Sequence, residues 1–260
     1  MPNDRQAKIA AAKSPHRKSS GTILAVVIAI VVVVGVIVAI VLGNRSGGGD
    51  NAAPDASTAG PETSVTLPRG VADANAPVVA TNGGVLKQGI PTLQVFEDFQ
   101  CPACKNAEDA FGATIKDMGT KGQVNVVYYL KTFLDDSLRN DSSKAAANAA
   151  LCASDAGKFE DFHDKIYAAQ PKNEGDGYTA AQIEQAATGA GIEGAALLTW
   201  KQCVADKPYL PYLKGIEDYT SRTMRVTGTP SFYVNSKRMD LTGLGSADDF
   251  KKRVLETATK

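Results

Sequence analysis

Residues 22–42 read TILAVVIAIVVVVGVIVAIVL, 21 positions without a charge or a proline. At about 1.5 Å per residue such a run crosses a bilayer core of roughly 30 Å, and it lacks the polar face of a surface helix in a soluble domain. It outlasts the about 7–15 apolar residues of a signal peptide, and no A-x-A-like cleavage site follows in GNRSGGG, so the pattern predicts an uncleaved transmembrane anchor. Residues 43–76 are rich in Gly, Ala, Ser, Thr, Pro and Asn, with GGG at 47–49, and predict a flexible tether. Regular periodicity begins near Pro77.

From there the pattern predicts an α/β domain over 77–260. A short strand at 92–96 leads through Glu97, Asp98, Phe99 and Gln100 into Cys101-Pro102-Ala103-Cys104. A helix is expected directly afterwards, with Pro102 at its first position, where a missing N–H costs nothing; it should run to about Met118 and stop at Gly119. Residues 124–130 (VNVVYYL) are β-branched and aromatic with little polar alternation, as a strand buried on both faces requires. Helical patterns follow at 145–153, 159–169, 180–190, 195–204 and 209–224, broken at Gly157, Pro171, Gly191 and Pro208. Strand character returns at 230–234, followed by a turn at Asn235 and Ser236 and a short run at 238–241. A last helix opens on Ser246 as N-cap with Asp249 three residues on, and Phe250, Val254 and Leu255 form its apolar face. The order is β-α-β, a helical block at about 138–224, then β-β-α: a mixed sheet with a helical insertion.

Charge changes the picture at the N-terminus. The chain balances 28 Lys and Arg against 28 Asp and Glu, but residues 1–45 hold six basic residues and one acid, leaving 22 basic against 27 acidic beyond. Five of the six precede the apolar run, so residues 1–21 are expected to remain in the cytoplasm as a basic tail and the domain to face outward across the cell membrane. The acidic excess of that domain argues against a nucleic-acid surface.

The four cysteines fall into two unlike pairs. Cys101 and Cys104 lie at a helix start just after a strand, where free backbone N–H groups and the helix dipole favour a thiolate on Cys101. A thiolate attacks disulfides and leaves them readily, so the spacing predicts thiol–disulfide exchange through a mixed disulfide at Cys101, with Cys104 as the less exposed resolving partner. CxxC also suits half of a zinc site, but Cys152 and Cys203 are 51 positions apart with only His163 between them as a further ligand, so no metal and no cofactor is expected. Outside the reducing cytoplasm, Cys152 and Cys203 read as a structural disulfide, with a second redox pair as the alternative; a loop of about 50 residues would contribute on the order of 4 kcal/mol in the loop-entropy model.

Three stretches, FEDFQCPAC at 96–104, GKF at 157–159 through His163 to Gln170, and VTGTPSF at 226–232 with Val234-Asn235, resemble the DsbA family in the right order over roughly 92–260. Membrane-tethered actinobacterial members with a second cysteine pair share this layout. The resemblance implies a thioredoxin-like fold with an inserted helical domain, Cys101 as nucleophile, Cys104 as resolving cysteine, and Thr229-Pro230 as a cis peptide facing them that aligns an extended substrate. Ala103 departs from the pattern, since a histidine commonly stands there; with neither charge nor hydrogen bond at that position, a milder oxidant is expected, between DsbA's roughly −120 mV and thioredoxin's roughly −270 mV. Glu97 and Asp98 are candidates for proton transfer, one facing the cysteines and the other away, or else solvated carboxylates at a strand end. His163 reads as a packing or hydrogen-bonding residue rather than a catalyst.

The function expected is therefore an extracytoplasmic oxidase that donates its disulfide to secreted and membrane proteins as they fold and is reoxidised by a membrane partner. A reductase or isomerase is the first alternative, and a non-catalytic thioredoxin-like binding module the second.

Overall fold

The computed structural model describes residues 65–259. The expected anchor at 22–42, the tail before it and the tether to residue 64 lie outside the described residues, among which no helix is long and apolar enough to cross a membrane. Residues 65–76, the end of the expected tether, lie along the domain. Ser154 Oγ donates to Arg69 O (2.7 Å), Arg69 N to Asp155 Oδ1 (3.0 Å) and Tyr212 Oη to Ala76 O (2.7 Å).

The strands β1 (Val78–Val79), β2 (Thr92–Glu97), β3 (Asn125–Leu130), β4 (Ser231–Val234) and β5 (Lys237–Arg238) make one sheet in the order β1-β3-β2-β4-β5. β2 and β3 run parallel, from Thr92 opposite Asn125 to Glu97 opposite Leu130. A parallel pair needs a crossover, and the helix after the CxxC supplies it. β4 is antiparallel to β2, with Phe96 opposite Ser231, which brings the Thr229-Pro230 end of β4 beside the C-terminal end of β2. All six residues of β3 are buried, as its uninterrupted apolar run demands. β1, with two residues, is too short to leave a periodic signal, and β5 is a two-residue pairing where a run at 238–241 is expected. The turn between β4 and β5 has positive φ at Asn235 (50°) and Ser236 (66°), the primed geometry that matches the twist of a hairpin.

Helix α1 comprises Pro102–Ala107, a π-helical turn at Glu108–Gly112, and Ala113–Thr120. It runs through Gly119 rather than stopping there. Gly119 is a close-approach residue: a Cβ on it would lie 2.5 Å from Thr81 Cγ2 and 3.1 Å from Val126 Cγ2, and the reversal of the chain falls to Gly122 (φ +65°). The five expected helices of the insertion all form: α3 (Ser142–Asp155), α4 (Phe159–Ala168), α5 (Ala180–Gly189), α6 (Gly194–Asp206) and α7 (Leu210–Asp218, continued by a π-helical turn at Tyr219–Thr223). The short α2 (Leu134–Leu138, LDDSL) precedes them and carries too few apolar positions to be read from periodicity. The chain closes with α8 (Ala247–Thr259). Ser246 Oγ accepts from Asp249 N (3.1 Å) and donates to Asp249 Oδ2 (2.8 Å), while Phe250 and Val254 are fully buried. Leu255 is 39% exposed, because it falls on the flank of α8 rather than on the stripe that meets the sheet.

Within the insertion α3 is central. Its alanines allow neighbours on several sides, and Ala146, Ala147, Ala149, Ala150 and Ala153 are all fully buried. Trp200 of α6 donates its indole N–H to Ala149 O (3.0 Å), and Cys152 of α3 is disulfide-bonded to Cys203 of α6. With the cysteines 51 positions apart, replacing both with alanine is expected to lower unfolding stability by about 2–4 kcal/mol, read as a reduced denaturant midpoint with a steeper slope, because the released unfolded chain exposes more surface.

Candidate active site

Strand alternation puts Glu97 on the same face of β2 as Val95, the face that also carries Tyr128 of β3 and Phe232 of β4. There it meets the insertion: Glu97, 3% exposed, is hydrogen-bonded through Oε1 to His163 Nε2 of α4 (2.7 Å). Phe99, Tyr128, Phe159 and Tyr167 surround the imidazole. Burial is the largest influence and opposes a charged ring, but Glu97, Asp164 and Glu108 together outweigh it and raise the His163 pKa to about 10. Asp98, one residue beyond the strand and 1% exposed, accepts from Ser143 Oγ (2.6 Å), Gln100 N (2.9 Å) and Leu134 N (3.3 Å). Burial lifts its pKa to about 7 against those bonds. Both carboxylates are thus engaged with the insertion, instead of one facing the sulfurs. Asp98 reaches the cysteines through its backbone, where its carbonyl accepts from Cys101 N (2.9 Å).

Cys101 is the N-cap of α1, with extended backbone (φ −74°, ψ 117°), and Pro102 follows at the first helical position. The Cys101 carbonyl accepts from Cys104 N (3.1 Å) and Lys105 N (3.2 Å). Both cysteines are free thiols, 7% and 3% exposed, whereas Pro102 and Ala103 between them face solvent. Across from them the Thr229-Pro230 peptide is cis, and Thr229 O lies 3.5 Å from Cys101 Sγ. The Thr229 hydroxyl is buried and bonds no other protein group, which leaves it available to a Cys101 thiolate.

The two sulfurs have opposite acid–base character. A hydrogen bond from the Cys104 thiol is the largest cause that lowers the Cys101 pKa to about 6; burial opposes it, and the Thr229 hydroxyl and the N–H groups of Cys104 and Ala103 assist. Burial, reinforced by the neighbouring Cys101, pushes the Cys104 thiol far up. At neutral pH Cys101 therefore favours the thiolate, the form of sulfur that exchanges with disulfides, while Cys104 keeps its proton.

Several polar residues around this turn make contacts that no spacing in the sequence signals. Gln100 Nε2 lies within hydrogen-bond distance of Asp135 Oδ1 (2.9 Å), Asn140 Oδ1 (2.9 Å) and Ser143 Oγ (2.8 Å). Lys131, whose side chain is fully buried, sits directly after β3 and bonds Glu217 Oε1 (2.8 Å), Thr220 Oγ1 (2.9 Å) and Ser221 Oγ (2.9 Å). A lysine closing an otherwise apolar buried strand is the one cue the sequence offers for it. Among the described residues, Glu108, His163 and Asp164 bring potential metal-ligand atoms within 4.8 Å of one another. They form an ion-pair cluster, with His163 Nε2 taken by Glu97 and Asp164 bound to Lys116 Nζ at 2.8 Å.

Replacing Thr229 with valine removes a hydroxyl that favours the thiolate, so the Cys101 pKa is expected to rise by about 0.5–1, as read from thiolate absorbance against pH. His163, raised in the folded state above its ordinary value near 6.5, contributes stability that is complete below about pH 6.5 and lost as pH climbs through about 10. In the oxidised protein, where neither active-site cysteine titrates, the stability advantage of wild type over His163→Gln is expected to shrink across that window, by at most about 1.4 kcal/mol per pH unit. An advantage that is flat from pH 6.5 to 10 would show that His163 is neutral in the fold.

Comparison with known proteins agrees with this geometry. The thioredoxin family profile matches residues 88–253. Disulfide bond formation protein D of Bacillus subtilis is 27% identical over 150 residues, covering 56% of this chain and 64% of its own length. The chain thus spans a little under two thirds of that curated relative. Reduced DsbA of Mycobacterium tuberculosis superposes with a TM-score of 0.54 at 24% identity, over 68% of this chain and 88% of that one. MdbA, a thiol-disulfide oxidoreductase from Corynebacterium diphtheriae, does so with a TM-score of 0.56 at 16% identity, over 73% and 94%. With its CxxC at the head of α1, its cis-proline opposite and its helical insertion, the chain belongs to the thioredoxin family and has the DsbA fold.

Proposed function

We propose that this protein is an extracytoplasmic thiol–disulfide oxidoreductase acting as an oxidase on secreted and membrane proteins, tethered to the cell membrane by residues 22–42. The observation that carries the proposal is the pairing of an acidic Cys101 with a proton-retaining Cys104 at the head of α1, opposite the Thr229-Pro230 peptide. In the oxidised protein a substrate thiolate attacks Cys101 Sγ. The Cys101–Cys104 bond breaks, and Cys104 leaves and takes up a proton. A second substrate thiolate then attacks the substrate sulfur of the mixed disulfide, Cys101 departs as a stable thiolate, and the substrate has lost two electrons to the protein. A membrane redox partner accepts those electrons and restores the disulfide. Thr229 and Pro230 align the substrate as an extended strand beside Cys101.

The name of the curated relative, disulfide bond formation protein D, supports the oxidase direction. So does the acid–base pairing, because a stabilised thiolate favours the reduced form and thereby makes the disulfide oxidising. A Cys101 pKa near 6 lies between the about 3.5 of DsbA and the about 7 of thioredoxin, in keeping with Ala103, which adds no charge or side-chain hydrogen bond. Asp98, with a pKa near 7, is suited to exchange protons with the buried turn, and Glu97 is held as the partner of His163. The layout of tail 1–21, anchor 22–42, tether 43–76 and domain 77–260, with its insertion at about 138–224, places the site outside the membrane near emerging chains.

Equilibrating the full-length protein in glutathione buffers and tagging free thiols is expected to give a Cys101–Cys104 potential between roughly −120 mV and protein disulfide isomerase's roughly −180 mV, the oxidising part of the interval between DsbA and thioredoxin. A value near −270 mV would transfer the assignment to a reductase or isomerase. Cys101→Ser is expected to abolish oxidation of a reduced, unfolded substrate; retained action in that variant would point to a binding module.

A further inference from the structure

The turn that carries Cys101 is gripped from the helical insertion by two side chains with no part in the exchange chemistry. Gln170, just beyond the end of α4, donates from Nε2 to Phe99 O (2.8 Å) and to Cys101 O (3.1 Å). Tyr178, in the loop before α5, donates its hydroxyl to the same Phe99 O (2.8 Å). The grip is itself anchored: Tyr178 N donates to Ser142 Oγ at the start of α3 (2.7 Å), and Gln182 of α5 donates from Nε2 to Ala169 O (3.3 Å). On its other side the turn is closed by the bond from Cys101 N to Asp98 O.

We propose that Gln170, assisted by Tyr178, is a positioning residue through which the helical insertion holds Cys101 at the open N-terminus of α1. The proposal deepens the oxidoreductase reading and rests on Cys101 being its nucleophile. Two physical effects support it. The carbonyls of Phe99 and Cys101 are negative dipole ends within one or two residues of the sulfur, and donors bound to them offset the negative potential that a thiolate would otherwise meet. The Cys101 carbonyl is also the first acceptor of α1; fixing its direction fixes the N-cap geometry on which the approach of the Ala103 and Cys104 N–H groups to the sulfur depends. The insertion thereby acts on the redox site without touching substrate.

The test uses full-length reduced protein and iodoacetamide, following modification of Cys101 by mass spectrometry from pH 4 to 9. Gln170→Met keeps the length of the side chain without its donors, Gln170→Glu keeps its shape and replaces the donors with a carboxylate, and Tyr178→Phe deletes one hydroxyl. The expected result is a midpoint that moves to higher pH in the order wild type, Tyr178→Phe, Gln170→Met, Gln170→Glu. At pH 6 the alkylation rate of Gln170→Met is expected to fall about threefold to tenfold. A Gln170→Met protein with the wild-type alkylation profile, whether or not its melting temperature drops, overturns the proposal, because a packing role moves stability and leaves the midpoint in place. Should Gln170→Met fail to fold, Tyr178→Phe decides in the same way. Failure of the parent reading looks different: wild-type Cys101 would itself titrate near the ordinary thiol value of about 8.5, or Cys101→Ser would still oxidise substrate.

Discussion

A thiolate that is more than nine-tenths buried must be surrounded by donors, and that requirement organises the C-terminal end of the sheet. A helix N-terminus contributes about 2 kcal/mol at most, less than lowering Cys101 from the ordinary thiol value of about 8.5 to about 6 demands at about 1.4 kcal/mol for each tenfold change in acidity. The remainder comes from groups that different elements deliver: the Cys104 thiol from one turn along α1, and the Thr229 hydroxyl from the residues leading into β4. The register of the sheet makes this delivery possible. Phe96 opposite Ser231 fixes how far β4 extends beside β2, and so sets Thr229, two residues before β4, against the sulfur, where its carbonyl accepts from the Cys101 thiol at 3.5 Å.

The same turn carries two carboxylates that would oppose a thiolate if they were charged and close. The fold deals with them separately. Glu97 is directed by strand alternation into an aromatic enclosure, where a protonated His163 neutralises it. Asp98 stays near the turn but loses much of its charge around neutral pH, because burial brings its pKa to about 7. The negative field at Cys101 is thus reduced twice, once by pairing and once by protonation, and both depend on the helical insertion closing over the end of β2.

Much of this was legible in the sequence where the signal is local. The apolar run at 124–130 identified β3, the CPAC after a strand identified the head of α1, and glycine and proline breaks separated the helices of the insertion to within a few residues. What escaped is long-range or very short. Gln100, Asp135 and Ser143 form one network across 35–43 positions of sequence, and no period links them. Gly119 looked like a helix stop because glycine usually is one; only the packing of Thr81 and Val126 against it shows why a side chain is excluded inside α1. Glu97 and Asp98 were visible as carboxylates beside the motif, yet their direction depends on where α3 and α4 lie.

The division between buried and exposed parts of the motif also says where specificity and redox tuning can vary independently. Pro102 and Ala103 face solvent and contribute no side-chain donor to either sulfur, so changes there alter what a substrate meets and, when charged, act on Cys101 only through a solvent-screened field. The groups that set the acidity of Cys101 lie beneath it: Cys104, Thr229 and the backbone of the turn. Those positions are constrained by packing as well as by chemistry, since Thr229 belongs to the loop entering β4 and Cys104 to the core. A milder or stronger oxidant built on this scaffold therefore requires either a charge placed in the exposed dipeptide or a change in the donors below. Only the second alters the redox balance without changing the surface presented to the substrate.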